Sequence, residues 1–273
     1  MSGFIQVSLE QPFTYLKGIR YSESIQWNAF VLSMVYVVVI FSIKAFMSSR
    51  KPLNIKLPLQ LWNLWLALFS IAGAVVTTKA LLHEIFNYGL VASYTKCGDF
   101  FQDVSGLWTF WFCMSKMAEL GDTIFIVLRK RPLIFLHWYC LYHHVATLNY
   151  GIYSYNNQTA YNTWIVWLNF SVHAVMYTYY FLSACSIRSP AWVSRLITTS
   201  QITQFLITLV ILFHAGWLKA TGYKVDTTWG VYTFCLLMEL SYVYLFGRFF
   251  YLSYVKSGGA KFQREKKTVD KSD

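Results

Sequence analysis

Three imidazoles stand within eight residues, at His137, His143 and His144, inside the apolar run Leu136-His137-Trp138-Tyr139-Cys140-Leu141-Tyr142-His143-His144-Val145. A fourth, His173, lies in the next apolar run, Asn169-Phe170-Ser171-Val172-His173-Ala174-Val175-Met176-Tyr177. Imidazole titrates near neutral pH and serves as base, acid or nucleophile, though it also ligates metals or takes a structural hydrogen bond. Ionisable groups at membrane depth are costly and usually face a cavity or a functional site. Two neighbouring helices that build one reaction chamber account for all four rings.

Other polar residues repeat at helical spacing. Lys116, Glu119, Asp122 and Thr123 fall at i, i+3, i+6 and i+7, one face of a helix, with Lys116 and Glu119 close enough to pair. They form either a self-neutralising structural cluster or a stripe facing a cavity. The second reading is preferred because lipid-facing charges cost a few kcal/mol each. Arg129-Lys130-Arg131 closes that run, as a topology signal and a point of attraction for an anionic substrate. Asn169, His173, Met176, Tyr177 and Tyr180 share another face, where Asn169 can fix the tautomer of His173. The tyrosines also suit a membrane interface. Thr198, Gln201 and Gln204 recur every third residue and offer either substrate contacts or hydrogen bonds between helices. His83 and His214 are isolated and take no role.

The elements that must position these groups are apolar helices. The 273 residues are 56% hydrophobic and only 13% charged, against about 25% charged in a soluble domain, which points to lipid as the solvent. Seven apolar runs, at 27–43, 57–78, 107–128, 133–153, 164–184, 196–217 and 229–251, approach the roughly 20 residues that a spanning helix needs. The predicted fold class is an all-α integral membrane bundle of seven transmembrane helices. Residues 1–26 form a segment before it, without the pattern of a signal peptide, and 256–273 a basic tail. No linker or repeat divides the chain, so 27–255 reads as one domain. Five cysteines show no CxxC pair and no metal-ligand spacing. Cys113, Cys140, Cys185 and Cys235 read as packing residues.

The net charge of +11 does not require nucleic acid, since the basic residues lie between apolar runs and in the tail. With the N-terminus lumenal, sixteen Lys and Arg fall on the cytosolic side against six on the other. That bias follows the positive-inside rule and puts the C-terminus in the cytosol. Asn157-Gln158-Thr159 is a glycosylation sequon in a connection that this topology places in the lumen.

The residues resemble a known family. Lys116-Met117-Ala118-Glu119-Leu120-Gly121-Asp122-Thr123, followed by Phe125-Ile126-Val127-Leu128-Arg129-Lys130, is similar to the KxxExxDT signature of the ELO family, the very-long-chain fatty acid elongases. Leu136-His137-Trp138-Tyr139 with His143-His144 resembles their histidine box, 169–180 their NxxxHxxMYxYY block and 198–204 their TxxQxxQ block. The resemblance implies a multi-pass enzyme of the endoplasmic reticulum that encloses an acyl-chain tunnel. It would condense a long-chain acyl-CoA with malonyl-CoA to 3-ketoacyl-CoA, CO2 and CoA, with no cofactor and no metal. Its partners would be those substrates, membrane lipid, the reductase and dehydratase of the elongation cycle and possible further copies of itself. The Phe-Leu-His-Trp-Tyr run and the Thr/Gln block look more like the branch acting on saturated and monounsaturated chains.

On that resemblance, His143 is the acyl carrier, with His144, His173 and His137 assisting. Asn169 positions His173, and Met176, Tyr177, Tyr180, Gln201 and Gln204 line the tunnel near the thioester. Lys116, beside Glu119 and Asp122, and the cytosolic arginines meet the CoA phosphates. One departure matters: the family's HxxHH is here His137-x5-His143-His144, with three extra residues. On a continuous helix this stretches the axial separation of the outer rings from roughly 6 Å to about 10.5 Å. Either a bulge restores His137, or Cys140 takes its place, or the sequence is a splice or gene-model variant of an active enzyme; a catalytically weak member, disabled by the insertion, is a separate reading. Cys97 lacks the lumenal partner cysteine found in some relatives, unless Cys235 reaches it. Two rival readings remain. A di-iron desaturase also carries such boxes, but two metals held by imidazole need about eight ligands where the chain has six His. A seven-span receptor or transporter has no need of such a chamber.

Overall fold

The computed structural model describes residues 2–9, 11–130 and 135–256, with the side chains of 2 and 135–140 excepted. The described chain is helical, and no strand occurs among the described residues. The helices are α1 (Ser2–Leu9), α2 (Tyr15–Met47), α3 (Lys56–Tyr88), α4 (Ala92–Thr95), α5 (Asp103–Glu119), α6 (Gly121–Leu128), α7 (Phe135–Asn156), α8 (Asn162–Ala184), α9 (Ala191–Ala220) and α10 (Trp229–Phe250). A single 3-10 turn at Asp99–Phe101 precedes α5, and a π turn at Tyr251–Lys256 continues α10. Helices lie over each of the seven apolar runs as far as its residues are described. Four of them, α2, α3, α9 and α10 with its π turn, are long and apolar enough to cross a membrane by length and composition.

The ends follow local chemistry. Pro190 stands at the N-cap of α9, where its missing N–H costs nothing, and Thr228 caps α10 by accepting the Val231 N–H at 3.2 Å. Gly89 and Gly222 close α3 and α9 with φ near +90°, a region that side chains avoid. Two helices outrun their apolar cores. Hydropathy predicts 27–43 and 57–78, whereas α2 begins at Tyr15 and α3 continues to Tyr88. The additions are polar but held by neighbours. Tyr15 OH donates to the Tyr155 carbonyl (3.0 Å), Asn156 Nδ2 to Gln26 Oε1 (2.7 Å), and Glu84 Oε1 accepts the Phe100 N–H (2.7 Å).

Packing sets the site. α3 lies along α8, α10 against α9 and α7, α2 against α7 and α6, and α5 against α7. Gly73 admits the buried ring of Phe170, since a Cβ there would come within 2.5 Å of it. Where a continuous third span is expected over 107–128, the helix is interrupted at Leu120, between α5 and α6. Gly121, at the start of α6, lets the Trp62 indole close in; a Cβ there would meet it at 2.9 Å. At the opposite end of α6, Lys130 Nζ donates to the carbonyls of Ser48 and Arg50, both at 2.9 Å, clasping the α2–α3 connection.

Candidate functional site

The stripe on α5 and α6 is buried and internally matched. Lys116 and Glu119 are each 3% exposed, and Lys116 Nζ lies 2.7 Å from Glu119 Oε1. The same ammonium donates to Asn169 Oδ1 on α8 at 3.0 Å and sits 4.1 Å above the centre of the Phe112 ring. Ser115 Oγ donates to Glu119 Oε1 at 3.0 Å. A charge pair removed from water survives only with extra hydrogen bonds of this kind. The ammonium is therefore turned inward to Glu119 and Asn169.

Asp122, one turn further on, is held by two neutral donors, Trp62 Nε1 at 2.6 Å and Tyr177 OH at 2.7 Å. Its Oδ2 lies 3.9 Å from His144 Nε2. His173 Nδ1 lies 4.0 Å from Glu119 Oε2, and its Nε2 is 3.3 Å from Asn169 Nδ2. Each carboxylate of the stripe thus faces one imidazole from another helix. The Tyr177 ring stands edge-on to His173 at 5.2 Å. Tyr180 lies at the rim, 43% exposed, with its ring 6.2 Å from that of Tyr177.

His143 faces elsewhere. Successive residues on a helix diverge by about 100°, and the His143 ring turns from the stripe toward α10, 4.7 Å from the ring of Tyr242 and 6.4 Å from that of Phe246. Its carbonyl accepts from Tyr242 OH at 3.3 Å, and its Nδ1 is buried without a hydrogen-bond partner. It borders a narrow cavity of about 40 Å³ whose wall also includes Asn169, Gln204 and Glu239. That void joins the surroundings of His143 to the amide beside His173. Gln204 lines the same cavity and its buried Oε1 has no hydrogen-bond partner, whereas Gln201 Nε2 donates to Met176 Sδ at 3.2 Å. Thr198 Oγ1 lies 3.3 Å from Tyr254 OH.

The side chains of His137 and Cys140, together with Arg131, fall outside the described residues, as does most of the basic tail. In the sequon, the half-buried Asn157 donates through Nδ2 to the Tyr153 carbonyl at 2.8 Å, and Thr159 is 0% exposed. Cys97 and Cys235 are free; the Cys97 thiol donates to the Gln158 carbonyl at 3.2 Å. Among the described residues, no group of three His, Cys, Asp or Glu is placed to hold a metal ion.

Sequence reasoning missed four members of this arrangement. Trp62 and Ser115 carry no charge pattern and are recruited by packing, and Tyr242 lies among other aromatic residues. Glu239 had a signal, as the one carboxylate in the run 229–251.

Comparison with known proteins shows the family. Residues 22–262 match the family model described as ELO, GNS1/SUR4 family. The chain is 46% identical over 228 residues to long chain fatty acid elongase 1 of Caenorhabditis elegans, covering 83% of this chain and 78% of that protein. It is 42% identical over 233 residues to very long chain fatty acid elongase 6 of Drosophila melanogaster, covering 84% and 73% of the two chains. It is also 38% identical over 252 residues to very long chain fatty acid elongase 6 of Mus musculus, covering 90% and 93%.

Proposed function

From the premise that this chain belongs to the ELO family and is a multi-pass membrane protein of fatty acid elongation, we propose that it is the condensing enzyme of that cycle. It joins a long-chain acyl-CoA to malonyl-CoA and yields 3-ketoacyl-CoA, CO2 and free CoA. The observation that carries the reading is the pairing of buried carboxylates with imidazoles beside a void that reaches His143. Ionisable groups at membrane depth are too costly to serve packing alone.

In the proposed mechanism, an unprotonated nitrogen of His143 attacks the acyl thioester carbon and CoA leaves as thiol, giving an acyl-imidazole. The unpartnered Nδ1 at the cavity wall supports this assignment. Malonyl-CoA then loses CO2, and the electron pair released at its methylene carbon attacks the acyl carbon and expels the imidazole. His144 and His173, steadied by Asp122, Glu119 and Asn169, pass the proton lost by the His143 ring to the departing thiolate and return one to the imidazolate when it is expelled, a net uptake of one proton per turnover. Asn169, Met176, Tyr177, Gln201 and Gln204 hold the chain near the thioester, with Tyr180 at the mouth.

The proposal includes seven spans in the endoplasmic reticulum, with the N-terminus lumenal and the C-terminus cytosolic, supported by the seven apolar runs and their charge bias. No cofactor is required. The 3-keto product passes to reducing and dehydrating enzymes, and saturated or monounsaturated chains are the proposed substrates. The test is malonyl-CoA incorporation in microsomes from cells lacking their own elongases. His143→Ala and His173→Ala each abolish it on this reading, and retained activity in both variants removes the roles assigned here. A second reading rests on the longer histidine box, a slow variant; deleting Cys140-Leu141-Tyr142 then raises the rate.

A further inference from the structure

The cavity beside His143 carries polar atoms that nothing in the protein satisfies. His143 Nδ1 on α7, Gln204 Oε1 on α9 and Glu239 Oε2 on α10 are all buried, lack a hydrogen-bond partner and belong to residues that line it. Glu239 is 4% exposed and Gln204 7%. The groups come from three different helices, so one strained turn does not explain them. An unsatisfied buried polar atom costs about 1–3 kcal/mol. A plain hydrocarbon laid against this wall leaves every one of them stranded.

A hydroxyl suits this set. Its single hydrogen donates to the Gln204 amide oxygen, and its lone pairs accept from a carboxylic acid at Glu239 or from an imidazole N–H, whereas a methylene offers neither. The volume of about 40 Å³ also fits, since roughly 10–15 Å³ holds one water-sized group. The rest of the wall, including Phe112, Phe205 and Met238, is hydrocarbon and aromatic, as the body of an acyl chain requires.

We propose that Glu239 and Gln204 form a hydrogen-bonding subsite for a hydroxyl carried on the hydrocarbon part of the acyl substrate, so that among saturated and monounsaturated acyl thioesters a monohydroxylated chain is preferred over its unsubstituted parent. The inference rests on the reaction proposed above and names its substrate class. A site built to bond a hydroxyl discriminates against the analogue that lacks it, because its own polar groups are then left unpaired.

The experiment uses full-length protein purified in detergent, with palmitoyl-CoA and a positional series of its monohydroxy isomers as probes. Binding is read as displacement of a fluorescent acyl-CoA, and condensation is read separately with malonyl-CoA. At least one isomer is expected to bind about tenfold tighter than palmitoyl-CoA, the worth of one good hydrogen bond. That ratio falls toward one in Glu239→Leu and recovers in part in Glu239→Gln. The subsite is overturned if no isomer outcompetes palmitoyl-CoA, as for a cavity that merely holds water, or if the ratio survives intact in a folded Glu239→Leu. Should Glu239→Leu fail to fold, Glu239→Gln and Gln204→Met carry the comparison, and an unchanged ratio in both overturns it equally. A binding preference without condensation of any probe counts against the reaction and leaves the subsite standing.

Discussion

Lys116 Nζ donates to Asn169 Oδ1 across 3.0 Å, joining α5 to α8, and this bond decides which way the amide is turned. With the oxygen committed to the ammonium, Asn169 Nδ2 faces His173 Nε2 at 3.3 Å. An amide nitrogen only donates, so Nε2 accepts and a neutral His173 carries its proton on Nδ1, the nitrogen 4.0 Å from Glu119 Oε2. Asn169→Asp reverses the order, because a carboxylate accepts from both neighbours and draws the proton to Nε2. Turnover is expected to fall by roughly 10²–10⁴, as when a catalytic imidazole is held in the wrong tautomer. Nitrogen NMR of labelled His173 reports the tautomer directly; a variant with the wild-type pattern and reduced rate sinks this account of Asn169.

Removing Lys116 leaves Glu119 buried beside Ser115 without its counter-charge. Lys116→Ala is expected to lower stability by about 3–5 kcal/mol, the cost of an orphaned buried charge. Lys116→Met combined with Glu119→Gln removes both charges and recovers most of that loss. Thermal unfolding in detergent gives the comparison. Activity stays low in the double variant if the pair also orients His173.

Asp122 accepts from Trp62 and Tyr177 and faces His144, so Asp122→Asn keeps the shape and removes the charge. The melting temperature is expected to change little, because the Trp62 N–H still finds an oxygen. Condensation is expected to fall about 10²-fold through loss of orientation. A fall in melting temperature as large as that of Lys116→Ala would show instead that Asp122 holds the bundle together.

Outside the apolar runs, burial pushes the Cys97 thiol well above the ordinary thiol range, and the neighbouring carboxylates of Asp226 and Glu84 push the same way. The folded state therefore favours the neutral thiol. Its contribution to stability is complete below about pH 8.5 and is lost as the pH rises above that value. A maleimide at neutral pH is expected to leave Cys97 unmodified in the folded protein and to label it after unfolding. Rapid native labelling at neutral pH contradicts the assignment.

The sequence by itself determined the apolar helices and the polar faces they carry. Seven apolar runs, an imidazole cluster and carboxylates at helical spacing are local patterns, and a helix converts local spacing into a face without help from the rest of the chain. The Lys116–Glu119 pair and the neighbourhood of Asn169 and His173 were legible for that reason. Tertiary structure decided what each face meets. Trp62 reaches Asp122 across 60 positions, Asn169 reaches Lys116 across 53, and Glu239 joins Gln204 and His143 from three separate helices. His143 and His144 are neighbours in sequence, yet one turns to the aromatic wall of α10 and the other to the carboxylate of α6. Helix periodicity separates the two rings, but only the packing of α6 and α10 on either side of α7 gives each its partner.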